Sequence, residues 1–226
     1  MEAVERYEIA IHEAAHAVMA ILKFRLVYEI AIVDNPDEDD LVGECVIESG
    51  NNVFDEIAIN LAGAIATALH KGLDRSCYLD LVSLGDYLTC HDLLAGLARP
   101  KVPCELVSLL GTDDPSNAAF KIREGRHLYG VTGPTRRKLK RSCQRFLKDI
   151  RWASRRATEV LAQEEKEVWD YIENHSSFMI LTYALADELY AKGKLDACEI
   201  LECIKPIVEE RCAAAQKKSE AKSLAA

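Results

Sequence analysis

Aromatic residues are scarce in this chain, 7% of 226 positions. That leaves little of the bulky material from which two-sheet sandwiches build their cores, and the many Ala and Leu residues lean toward helix packing instead. Glycine and proline are few as well, 11 and 6, which excludes collagen-like and linker-dominated chains. No apolar run approaches the roughly 18 residues needed to span a bilayer. The opening MEAVERYEIA carries charge where a signal peptide has its apolar stretch, so the expected setting is soluble and cytoplasmic. Paired CxxC cysteines are missing. The eight cysteines, from Cys45 to Cys212, are scattered and read as reduced thiols packed as small hydrophobes. Positive charge is not in excess either: a formal net charge of −9 argues against a general nucleic-acid binder.

What the chain does have is apolar material for a core, 49% of its residues, laid out mostly with helical period. Val4, Ile9, Ala10, Ala14, Ala17, Val18, Ile21 and Leu22 predict a helix over 3–23. VYEIAIV at 27–33 and the alternating GECVIES at 43–49 predict two strands joined by the polar loop DNPDEDD, together a small sheet. Asn51 and Asn52 announce a second helix over 53–71, with Gly63 and several alanines inviting close packing and Gly72 as its stop. A third helix is expected from Ser83-Leu84-Gly85-Asp86 to about Ala98, broken by RPKVP. Asp113 or Asp114 can cap another, with Pro115 in its first turn. A long helix over 135–173, one from Ser176 or Ser177 to Gly193, and a last one near Asp196 complete the chain. The fold class is therefore mainly α with a small β-sheet (α+β).

The segment IAIHEAAHAVMAI holds His12-Glu13-Ala14-Ala15-His16. Residues four apart on a helix lie one turn above each other on the same face, so His12 and His16 can grip one Zn²⁺ at about 2.0–2.1 Å each. Glu13 stands beside them, placed to take a proton from water activated at the ion and pass it to a leaving amine. HExxH arises by chance in on the order of one in a hundred chains of this length, but here it also falls within an amphipathic helix, the context the chemistry requires. A catalytic zinc needs a third protein ligand and an open position. The metzincin extension is missing, since position 19 is Met and position 22 is Leu. A thermolysin-like Glu on a following helix does not fit either, because a strand and DNPDEDD stand there. The third ligand comes from farther along the chain.

HEAAH, the short strand pair, LAGAIATALHKG and SLGD together resemble the protease domain of the FtsH family of membrane-anchored AAA zinc proteases. RRATEVLAQEEKEVWDYIENHSSFMILTYALADELYAKGKLDACEI is similar to that family's helical arm and closing short helix, so the likeness spans most of 5–205. The resemblance implies a zincin-like helix on a short sheet and one Zn²⁺ per chain. It implies ligands His12 and His16, catalytic Glu13 and a distant Asp ligand. Asp86 in SLGDYLTCHDLL takes that last place first, with Asp114 and Asp92 as alternatives. The departures are equally specific. Ala15 stands where the family usually has Gly, residues 99–112 look inserted, and the segment after Gly130 looks shortened. No GxxxxGK[ST] phosphate loop is present, so ATP-driven unfolding is not implied. What is implied is ATP-independent hydrolysis of unfolded protein or peptides, or of substrates brought by a delivery partner or within a homo-oligomer.

Two further features carry expectations. A strand within 41–49 could offer an edge for an extended substrate, or could simply cover the motif helix. The run 136–156 holds ten Arg or Lys residues and one Asp. It reads either as a solvated helix face or as a surface for nucleic acid or an acidic partner, and an adaptor or a non-catalytic binding module is the rival to the enzyme. His70, His91, His127 and His175 have no motif spacing. The simplest partition is a zinc-peptidase-like core over 1–130, a helical extension of the same domain over 131–210, and a frayed tail over 211–226.

Overall fold

A computed structural model describes residues 3–34, 41–75, 84–124 and 133–224. The DNPDEDD loop apart from Asp34, Cys77, Ser83, His127 and Gly130 lie outside the described residues. The elements are α1 (Ala3–Leu22), β1 (Val27–Asp34), β2 (Leu41–Ile47), α2 (Val53–His70), α3 (Leu84–Ala98), α4 (Cys104–Leu110), α5 (Pro115–Glu124), α6 (Gly133–Asn174), α7 (Ser176–Lys192), β3 (Lys194–Asp196) and α8 (Ala197–Leu224). The fold is mainly α with one small antiparallel sheet of strand order β2-β1-β3. By compactness the chain forms two units, Met1–Tyr87 with Glu164–Ala226, and Leu88–Gln163.

The first unit is built around α1. Ala10, Ile11, Ala14, Ala15, Ala17, Val18 and Ala20 are all buried, so the helix is apolar nearly all round, the pattern of a central helix and not a surface one. It packs against α2, α7, β1 and β2. On α2, Ala62, Gly63, Ala64 and Ala66 are buried as well, so small residues are frequent in both of these neighbouring helices. On length and composition α2 qualifies as a membrane-crossing helix, unlike the expectation from the sequence that no run would. Ten of its residues are buried within the protein, as befits the second core helix.

Local signals set the ends of α2. The Asn52 side chain accepts from Phe54 N at 3.1 Å, satisfying one orphan amide of the first turn. Gly72, at φ +67° just past the end, supplies the left-handed residue that stops a helix. The start of α2 is clamped by Arg25, which pairs with Glu56 and donates to the Glu48 carbonyl at 3.2 Å. Gly50 leaves room for that clamp, because a Cβ on it would fall 2.1 Å from the guanidinium carbon of Arg25 and displace the side chain.

In the sheet, Ile32 faces Gly43 and Ile30 faces Cys45 across β1 and β2. The three residues of β3 pair with β1 on its other side, which leaves β2 at an edge with no strand on its outer side among the described residues. The second unit has its own core, formed by Val102, Leu106, Leu110, Ile122, Cys143 and Phe146 among others. The segment 99–112 contains the short helix α4. α8 continues to Leu224 with exposed side chains over 212–217; Ala, Gln, Lys and Glu are good helix formers. No disulfide joins the seven described cysteines.

Candidate metal centre

The middle of α1 carries His12, Glu13 and His16. The two imidazoles meet edge to face, ring centroids 4.5 Å apart at 82°. The first turn of α3 brings Asp86 to them: its Oδ2 lies 3.0 Å from His12 Nε2 and 3.8 Å from His16 Nε2. A tetrahedral ion about 2.0–2.1 Å from each ligand spaces the ligand atoms about 3.3 Å apart, so these separations bracket what one zinc ion requires. Two imidazoles and a carboxylate are also the donor chemistry that zinc takes in hydrolytic sites. Among the described residues His12, Glu13 and His16 have ligand atoms within 4.8 Å of one another. Asp86 lies outside that group, but a single oxygen of its carboxylate approaches a ring nitrogen of each histidine.

The ring of His16 is fixed from behind. Its Nδ1 donates to the Ile59 carbonyl at 2.6 Å. That places the proton on Nδ1 and leaves the Nε2 lone pair facing Asp86 and His12, the outer-shell arrangement that prepares a histidine as a ligand. Burial, then the neighbouring His12, lower the pKa of His16, which keeps the ring neutral and able to coordinate. His12 and Asp86 retain 19% and 22% exposure, so one side of the cluster is open while His16 is closed in.

Glu13 is 7% exposed, and burial pushes its carboxyl up to about 7 against the pull of His16, with Asp86 and Glu44 adding to the rise. A carboxylate poised near neutrality is what a general base working at neutral pH needs. The backbone of β2 comes close to it: a Cβ on Gly43 would sit 2.1 Å from Glu13 Oε1. The edge strand thus runs directly past the carboxylate. Gly63 does the same for the ligands from the side of α2, where a Cβ would fall 2.5 Å from His16 Nε2 and 2.8 Å from His12 Nε2. Ala15, between the two histidines, is fully buried and packs in the core.

The alternative ligand candidates have other employment. Asp92 is exposed and pairs with Arg99 at 3.2 Å. Asp114 caps α5, accepting from Asn117 N at 2.6 Å. His70 contacts Tyr7 and Tyr183, and His175 stacks on Tyr171. Gly43 and the Ile59 carbonyl were not singled out from the sequence. A lone Gly in a strand pattern does signal a close approach, whereas nothing marks which carbonyl will meet a ring. No protein-family model matches the chain, and no curated protein matches it significantly.

Proposed function

We propose that this chain is a zinc-dependent metalloendopeptidase, related in design to the FtsH protease domain and independent of ATP. The observation that carries the proposal is the convergence of His12, His16 and Asp86 at 3.0 and 3.8 Å, three ligands from two distant helices, beside a buried Glu13 that is pushed up to about 7. His12, His16 and Asp86 would hold the zinc, with Ile59 fixing the tautomer of His16. Bound there, zinc lowers the pKa of water to about 7 and polarises a substrate carbonyl. Glu13 accepts the proton of the attacking water on a carboxylate oxygen and delivers it to the amine that leaves. The outer edge of β2 offers backbone groups for an extended peptide, and Gly43 keeps side-chain bulk away from Glu13 where that peptide would lie. The substrate is an unfolded segment or short peptide, because pairing with an edge requires a chain that is not already in a sheet or helix.

A second reading has one observation in its favour. Glu13 lies within 4.8 Å of both ring nitrogens, so Glu13 as third ligand would give a metal-binding module without a base. Purified protein answers both at once. The peptidase reading expects about one zinc per chain, chelator-sensitive cleavage of an unfolded protein, and a Glu13→Gln variant that keeps zinc and loses cleavage. Loss of zinc in Glu13→Gln with retention in Asp86→Ala would favour the binding module. Full cleavage by Glu13→Gln would end the peptidase reading.

A further inference from the structure

The charge along α6 is segregated. Ten Arg or Lys residues and one Asp occupy 136–156, and six acids and one Lys follow over 159–173. Both ends oppose the helix dipole, with no acid in the first turn and no base in the last, so the helix itself gains nothing from this order. In the basic half, Cys143, Phe146, Ala153 and Ala157 turn inward. Trp152 lies off that stripe and is 63% exposed. Arg145, Lys148 and Arg155, spaced −7, −4 and +3 from it, share its face. An exposed indole among cations matches the composition of binding hot spots.

The first unit holds a complementary surface. A cleft of about 350 Å³ is walled by Met19, Leu22, Phe54, Ala58, Val168 and Tyr171, with Lys23, Glu164 and Glu167 at its rim. The rim carries two acids against Lys23, which also pairs with Asp55 at 3.1 Å. Burial, then the neighbouring Glu167, raises the pKa of Glu164 while Lys23 lowers it; a further cation arriving there offsets the repulsion between the two acids. Next to Lys23, Phe24 adopts φ +58° and is 98% exposed. A bulky side chain in the left-handed region is strained, and here the strain holds an aromatic ring in solvent beside the cleft. A membrane surface rich in anionic lipid is repelled by such a rim, whereas a basic helix with an aromatic anchor fits it.

We propose that this cleft receives the Trp152 face of α6 from a second copy of the chain. Trp152 enters between Phe54 and Tyr171, and Lys148 and Arg155 meet Glu164 and Glu167. Each copy carries both surfaces, and in the proposed assembly they pair reciprocally, which limits it to a dimer. The inference does not depend on peptidase activity.

Sedimentation equilibrium of the full chain over about 1–100 µM tests it, with zinc content and circular dichroism as controls of folding. Dimer is expected, with a Kd that rises at least severalfold on going from low to high salt. Trp152→Ser and Glu164→Lys should each weaken the dimer about tenfold or more, and adding Arg155→Glu to Glu164→Lys should recover part of the loss. A protein that stays monomeric throughout, or a dimer indifferent to both single variants, overturns the proposal. So does a monomer whose Trp152 face instead binds single-stranded RNA with a steep salt dependence, the outcome expected of a nucleic-acid surface.

Discussion

Gly63→Ala probes the candidate centre more sharply than removing a ligand, because it adds one carbon and no charge. The added Cβ would stand 2.5 Å from His16 Nε2 and 2.8 Å from His12 Nε2, against an ordinary contact of 3.4 Å or more. Something must yield by about 0.9 Å (3.4 less 2.5). Either the rings turn or α2 lifts. A well-formed metal site tolerates about 0.2 Å, hence zinc affinity should fall about 100-fold or more, roughly 2.7 kcal/mol. Stability should suffer much less. Overpacking costs about 1–3 kcal/mol, and Ala in place of a mid-helix Gly returns about 0.5–1 kcal/mol. Competition with a chromophoric chelator measures the first quantity and calorimetry of the metal-free protein the second. If Gly63→Ala binds zinc within twofold of the wild type, the two Nε2 atoms do not face a common ion beside α2, and the reasoning fails.

Gly43→Ala should give the opposite signature, because its Cβ meets Glu13 and not the ligands: zinc retained, cleavage down about 100-fold or more, the share of a general base. Asp86→Ala should release zinc, while Asp92→Ala and Asp114→Ala keep it; Asp114→Ala costs about 1 kcal/mol through the lost cap of α5, read as a lower Tm. In metal-free protein the carboxyl of Glu13 titrates near 7 instead of 4.5. The folded state then binds the proton more tightly, and the penalty appears as pH rises above about 4.5 and is complete near 7. Denaturant titrations should show Glu13→Gln gaining on the wild type across that window, by about 3 kcal/mol at its upper end; parallel curves would refute a buried, perturbed carboxyl.

Periodicity, caps and stops reside in neighbouring residues, so the chain alone determined α1, the β1–β2 pair, the Asn52 start and Gly72 stop of α2, and Gly193 as the end of α7. It also determined that His12 and His16 share a face, since four residues make one turn. Three residues are too few to show a period, which is why β3 appeared only once Lys194–Asp196 found β1 to pair with. The choice among Asp86, Asp92 and Asp114 lay beyond the sequence: each is an acid at or within a helix after α2, and only tertiary folding carries one of them 74 positions back to His12. The same holds for Gly43, Gly63 and the Ile59 carbonyl, whose importance lies entirely in what another segment places against them. A helix can arrange two rings by its own geometry, but closing a site around them takes contacts that local sequence does not encode.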